Sequence, residues 1–80
     1  MPTVLNVDGH RFFFYSNEGT EAAHIHVETS ERTAKFWLTD PVQLAVASGY
    51  NSKELKRLTE IVTTNRDAFI GAWNDHFASN

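Results

Sequence analysis

The run Ala23–Glu28 alternates apolar and polar residues without a break, and this pattern constrains the fold more than any other. In an extended strand, successive side chains point to opposite faces, so Ile25 and Val27 share one face. His24 and His26 share the other face, which therefore carries two of the four histidines of the chain. The run predicts a strand at the centre of a small sheet, with one side on the core and one polar side.

A second alternating run, Thr33–Leu38, follows after a short polar turn and predicts the neighbouring antiparallel strand. Matching the apolar faces of the two runs gives these pairs: Ala23 with Leu38, His24 with Trp37, Ile25 with Phe36, His26 with Lys35, Val27 with Ala34 and Glu28 with Thr33. A slip of one residue would set core residues opposite polar ones, so the pattern fixes the register.

The chain begins with a predicted hairpin, in which Asp8-Gly9 joins the strands Thr3–Val7 and His10–Ser16. Asp-Gly between two such runs is the strongest short-range hairpin signal. The expected pairs are Val7 with His10, Leu5 with Phe12 and Thr3 with Phe14. One face then carries Leu5, Val7, Phe12 and Phe14, and the other carries Val4, Arg11, Phe13 and Tyr15. Both faces are partly apolar, which indicates either cover on both sides or an exposed aromatic patch that awaits a partner.

The second half of the chain predicts a short strand and then helix. Val42, Leu44 and Val46 alternate in a last strand that ends by Ser48-Gly49. Asn51 and Glu54 form a capping box that starts a helix. The expected buried stripe is Leu55, Leu58, Ile61 and Val62, followed by Phe69 and Trp73. Thr63-Thr64-Asn65 has poor helix propensity, so the region up to about Phe77 is one sharply kinked helix or two, with Thr64 and Asp67 capping the second.

The predicted architecture is a single α+β domain over residues 1–80. A four- to five-stranded antiparallel sheet, made of two hairpins and a short strand, precedes one kinked or two C-terminal helices. The helices are expected on the face that bears Ile25, Val27, Phe36 and Leu38. The histidine face is left to solvent, to a cleft or to another chain.

Composition narrows the classes of function. The net charge is −3 with a pI of about 5.7, which does not favour nucleic acid as a partner, although a local basic patch stays possible. No cysteine is present, so thiolate metal sites and disulfides are excluded. No long apolar run or secretory signal is found, which favours a cytoplasmic protein without a membrane association. A core of this size supplies little net stability, so a small protein partner or a homo-oligomer is expected.

His24 and His26 are the candidate metal ligands. Same-facing residues two apart on a strand lie roughly 6–7 Å apart, so both imidazoles can converge on one divalent transition metal. Glu28 is too far from His24 to share that ion, and a third ligand would have to come from elsewhere, with His10 and His76 the remaining histidines. No cofactor is expected otherwise. The alternative is that both histidines are ordinary polar residues of a solvated sheet face.

A metal-free site is the third interpretation of the same surface. Lys35 beside His26 favours the neutral imidazole, which can act as a general base, and the ammonium can steady an anion such as a phosphate. His24, His26 and Lys35 are therefore the candidate catalytic residues. Trp37 offers a flat surface for a base or ring, and Glu28 and Arg11 complete the candidate surface for a ligand or partner. An ordinary solvated lysine and a tryptophan packed under a loop are the competing interpretations.

Several motifs together resemble one family of small bacterial proteins, the domain of unknown function 4160. They are Met1-Pro2-Thr3, His24-Ile25-His26-Val27, Ala34-Lys35-Phe36-Trp37-Leu38, Pro41-Val42 and the late helix with Trp73. The motif most specific to that family is Pro-His-x-His-Val, and this chain has Ala22-Ala23 where the family usually has prolines. The resemblance implies no defined biochemical activity. It implies that members are often encoded beside another small protein, in pairs sometimes described as toxin–antitoxin systems.

The favoured functional hypothesis is thus that the protein is a partner-binding module. A more specific form of this hypothesis makes it one component of a toxin–antitoxin pair. The alternative is a metal-binding protein, or a metal-free nuclease or nucleotide-binding protein, that uses the face of His24, His26 and Lys35. Whether the protein is an enzyme is left open by the sequence.

Overall fold

The computed structural model describes residues 3–15 and 20–77, which form a five-stranded antiparallel sheet followed by two helices. The strands lie in the sheet in their sequence order and are β1 (Thr3–Val7), β2 (His10–Phe13), β3 (His24–Thr29), β4 (Arg32–Trp37) and β5 (Gln43–Ser48). The helices are α1 (Ser52–Thr64) and α2 (Arg66–Phe77). The predicted α+β class is confirmed, with five strands and two separate helices.

The first hairpin turns where the sequence predicts it. Asp8 and Gly9 both have positive φ, at 52° and 81°, as a two-residue turn between twisted strands requires. Val7 pairs with His10 and Leu5 with Phe12, as predicted. The predicted pair of Thr3 with Phe14 is wrong, because an irregularity between Thr3 and Leu5 shifts the register and sets Thr3 opposite Phe13. β2 ends at Phe13, so the predicted continuation of the strand through Phe14 and Tyr15 is wrong. The predicted end at Ser16 and most of the predicted loop after it lie outside the described residues.

The central hairpin follows the predicted register closely. His24 pairs with Trp37, Ile25 with Phe36, His26 with Lys35, Val27 with Ala34 and Glu28 with Thr33. Beyond the ladder, the Leu38 amide donates to the Ala23 carbonyl at 3.0 Å, which continues the same register by one more pair. The alternation of two neighbouring strands was therefore sufficient to fix their alignment.

The helices start and stop for local reasons. The Asn51 side chain accepts from the Glu54 amide, and the Glu54 carboxylate accepts from the Asn51 amide, so the predicted capping box begins α1. The predicted cap at Thr64 is wrong, because Thr64 is the last residue of α1 and Asn65 occupies the junction. The Asn65 amide donates to the Ile61 carbonyl, and the Asn65 carbonyl accepts from the Phe69 amide. One residue thus ends the first helix and starts the second.

The core lies between the helices and one face of the sheet. It contains Ile25, Val27 and Phe36 from the central strands, as predicted, with Leu58 and Phe69 from the helices. The rings of Phe12 and Phe69 stack at 5.7 Å and join the sheet to α2. Because both helices are on this face, the other side of the sheet, with its predicted histidine face, has no helical cover over most of its extent.

Candidate functional site

The uncovered side of the sheet carries alternate residues of four adjacent strands, which we call the open face. Its members are Arg11, Phe13 and Tyr15 from and after β2, His24, His26 and Glu28 from β3, Lys35 and Trp37 from β4, and Val46 from β5. The candidate residues predicted from the sequence, namely His24, His26, Lys35, Trp37, Glu28 and Arg11, therefore all belong to one surface.

His26 is at the centre of the open face and is half-buried. Its ring stacks on Phe13 at 5.5 Å and meets Tyr15 edge-on at 4.8 Å. The aromatic side chains hold the imidazole in place while part of it stays accessible. A ligand or a partner on this face can therefore reach His26.

His24 has a different environment from the one that strand alternation predicts. Its side chain is fully buried, and its ring lies 4.8 Å from Trp73 of α2 and 5.5 Å from Trp37. The expectation that the histidine face is left to solvent, to a cleft or to another chain is wrong for His24, because Trp73 of α2 packs against the start of β3. Nδ1 of His24 lies 2.9 Å from the Ala22 carbonyl oxygen, which orients the ring.

The two imidazoles are close, with ring centroids 5.1 Å apart and planes at 85°. Among residues 3–15 and 20–77, however, no group of three histidine or carboxylate side chains is placed to hold a metal ion. The burial of His24 also limits access of an ion to that side of the pair. Metal binding by His24 and His26 stays a prediction from the sequence.

Lys35 is held by two neighbours. Its Nζ lies 4.4 Å from the Trp37 ring centroid and donates to Oε1 of Glu21 at 3.1 Å. The same carboxylate oxygen lies 3.7 Å from Nδ1 of His24, so Glu21 links the lysine to the buried histidine. Sequence analysis missed Glu21, because it precedes β3 in a loop where no periodicity indicates its direction.

Arg11 and Glu28 form the other end of the open face. Nη1 of Arg11 donates to Oε1 of Glu28 at 2.8 Å, and the guanidinium lies over the Phe13 ring at 4.4 Å. The face thus has two cation–aromatic pairs, Arg11 with Phe13 and Lys35 with Trp37, on either side of His26. Cations over aromatic rings in this way are attracted by the ring quadrupole.

A shallow cavity of about 210 Å³ lies on the open face between His26, Lys35, Tyr15 and Val46. Thr33 and Ser48 add hydroxyl groups to its wall. A larger cavity of about 350 Å³ lies between β1 and α1, where Val7, Arg57 and Glu60 line it. None of the candidate site residues predicted from the sequence lines the larger cavity. We favour the smaller cavity because His26, Lys35 and Tyr15 line it.

A second polar cluster surrounds Tyr50, just before α1. Its hydroxyl lies 3.0 Å from Nδ1 of His10, and burial raises its pKa above 10.0, partly offset by the nearby Arg32. Arg32 also forms an ion pair with Glu54. The hydrogen bond from the Asn51 amide, followed by the charge of Arg32, lowers the pKa of Glu54 below 4.5. These contacts link α1 to the sheet and are structural.

The family model of the domain of unknown function 4160 matches residues 9–74, which is most of the chain. The chain therefore belongs to the family of domain of unknown function 4160 proteins, as the motifs around His24 and Trp37 indicate. No curated protein and no solved structure matches it. Neither helix in the described part of the chain is long and apolar enough to cross a membrane.

Proposed function

We propose that this protein is a partner-binding module and that the open face of its sheet is the binding surface. The observation that carries the proposal is the uneven cover of the sheet. Both helices lie on the core face and reach the other face only where Trp73 covers His24, so that face presents Tyr15 and the half-buried Arg11, Lys35 and Trp37. The Tyr15 side chain, which lies beside His26, is 41% exposed. Aromatic residues and arginine are the residue types enriched where protein partners bind.

The pairing of side chains on the open face supports this function. Arg11 is held by Phe13 and Glu28, and Lys35 by Trp37 and Glu21. Side chains already fixed before binding lose less conformational entropy when a partner docks. The open face is thus organised in advance around His26, which suits recognition of a folded partner.

The partner proposed is the small protein encoded beside members of this family, which would make the chain one component of a toxin–antitoxin pair in the cytoplasm. The net charge of −3 favours a binding role over RNA cleavage, because phosphate contacts require cations. The support for this partner is the family resemblance, and the support for the surface is the geometry of the open face.

The test compares two lysines on opposite sides of the molecule. Lys35→Glu reverses a charge in the centre of the open face, and Lys56→Glu makes the same change on an exposed position of α1. We expect Lys35→Glu to weaken binding of the neighbouring gene product about tenfold or more, because it breaks two preorganised contacts. Lys56→Glu is expected to bind like the wild type, as measured by isothermal titration calorimetry.

Two results would contradict the proposal. One is the absence of any complex between the wild-type protein and the neighbouring gene product by size exclusion with light scattering. The other is equal binding by both lysine variants, which would place the interface elsewhere.

A second candidate function is binding of a nucleotide, with or without cleavage, and the cavity between His26 and Lys35 is the observation that favours it. Lys35 supplies a cation for a phosphate, and Tyr15 supplies aromatic surface for a base. We expect a nucleoside monophosphate to bind the wild type and to bind Lys35→Met more weakly, with Lys56→Met as control. Calorimetry that shows no heat of binding for the wild type would rule this function out.

A further inference from the structure

β5 is an outer strand of the sheet, and the side facing away from β4 has no neighbouring strand among the described residues. Its sequence, Gln43–Ser48, contains neither a charge nor a proline. Leu44 is 44% exposed and Val46 is 61% exposed. Monomeric proteins usually protect such an edge with a lysine, a proline or a covering loop, because unpaired backbone groups recruit another strand.

The opposite edge, β1, is protected in ways that β5 is not. Pairing is irregular in both edge strands, between Thr3 and Leu5 in β1 and between Leu44 and Val46 in β5, but Nε of Arg11 donates to the Thr3 hydroxyl at 2.7 Å and the apolar side chains of β1 are half-buried. The turn after β1 is tied to α1 by an ion pair between Asp8 and Arg57 at 3.3 Å. Both edge strands lack charged residues, but the apolar side chains of β1 are half-buried, whereas Leu44 and Val46 of β5 are exposed.

We propose that a second copy of this chain pairs with β5, so that the two β5 strands run antiparallel about a two-fold axis. In such a pairing the residue on the axis meets its own copy, so a charge at that position would repel itself. The absence of charge along the whole of β5 meets this requirement.

Charged residues before and after β5 in the sequence also suit self-pairing. The exposed Asp40 precedes the strand, and the exposed Lys53 follows it at the start of α1. Antiparallel pairing brings the beginning of one strand towards the end of the other, and thereby carboxylates towards ammonium groups. A copy of the same strand therefore complements the uncharged β5, and the residues that flank the strand supply opposite charges.

The centre of the contact is expected at Val46. The register of β5 with β4 is irregular between Lys35 and Phe36, but Val46, Ala47 and Ser48 pair regularly with Lys35, Ala34 and Thr33. A regular segment keeps the backbone groups of the free edge in line for a further strand. An axis at Val46 would set the two exposed valine side chains against each other.

The first test uses the absence of cysteine from the chain. Val46→Cys places one thiol at the proposed axis, and Ala68→Cys places one on an exposed position of α2. A short bismaleimide is expected to join two chains of Val46→Cys efficiently, because directly opposed residues of paired strands have Cβ atoms about 5 Å apart. Equal crosslinking of both variants, or none at Val46→Cys, would overturn the proposal.

The second test uses charge. The wild type is expected to be a dimer by light scattering, and Val46→Lys a folded monomer by light scattering and circular dichroism, since the two introduced lysines meet at the axis. An equimolar mixture of Val46→Lys and Val46→Glu is expected to restore a mixed dimer. A monomeric wild type, a dimeric Val46→Lys or a mixture that stays monomeric would each contradict β5 pairing.

These outcomes are separate from the proposed partner function. Lys35→Glu tests the open face with the neighbouring gene product, whereas the cysteine and charge variants at position 46 are measured on the purified protein alone. A monomeric wild type that binds the neighbouring protein would overturn self-pairing and leave the open-face function standing.

Discussion

At the scale of single residues, the two histidines of the central strand have unequal environments. His24 is enclosed by Trp37 and Trp73, whereas His26 is half-buried between Phe13 and Tyr15. The same strand face thus contains one histidine that packs inside the protein and one that a ligand can touch. Of the candidate catalytic residues, His26 and Lys35 are accessible. His24 packs beside His26 and is linked to Lys35 through Glu21.

Replacing each histidine by alanine separates these roles. We expect His24→Ala to lower the free energy of unfolding by about 2–4 kcal/mol, because it leaves a cavity between two tryptophans. His26→Ala is expected to cost about 1 kcal/mol or less, since the side chain is partly exposed. Urea denaturation followed by fluorescence measures both. Equal losses for the two variants would show that the burial of His24 contributes nothing.

At the scale of elements, the start of α1 depends on the capping box of Asn51 and Glu54. The hydrogen bond from the Asn51 amide and the charge of Arg32 favour the ionised carboxylate and lower the pKa of Glu54. A carboxyl whose pKa is lower in the folded state stabilises that state above its unfolded pKa. This contribution is lost as the pH falls from 4.5 through the folded value.

Glu54→Gln tests this pH dependence. Glutamine keeps the shape and the acceptor of the capping box but does not titrate. We expect the variant to lack the part of the acid-induced loss of stability that Glu54 causes, measured by urea denaturation between pH 7 and pH 3. Glu60→Gln on the same helix keeps the capping box, and its stability is expected to fall with pH like the wild type. Parallel curves for the wild type and Glu54→Gln would contradict the assignment.

At the scale of the whole molecule, the helices cover one face of the sheet and, through Trp73, the His24 end of the other. The rest of the open face and the edge β5 stay available. Two surfaces, the open face and β5, are therefore proposed for two different partners: the neighbouring gene product and a second copy.

Because a dimer forms only from folded chains, self-pairing through β5 also predicts a melting temperature that rises with protein concentration. For Val46→Lys, the melting temperature is expected to be independent of concentration.

The sequence by itself determined the strands, their register in the central hairpin and the start of α1. These features depend on neighbours in sequence or on matching two alternating runs, and a slip of the central hairpin would expose Ile25 and Phe36 to the polar side. The pattern also placed His26, Lys35 and Trp37 on one face, which the structure confirms.

The tertiary structure alone decided which of those residues are accessible and what holds them. Trp73 is far from His24 in sequence, and its contact with the imidazole depends on how α2 packs at the end of the sheet. Glu21 reaches Lys35 from a loop with no periodic signal, and the bulge in β1 shifted a pair that the turn alone would have aligned. Periodicity specifies the face on which a side chain lies, but burial depends on the elements that pack against that face.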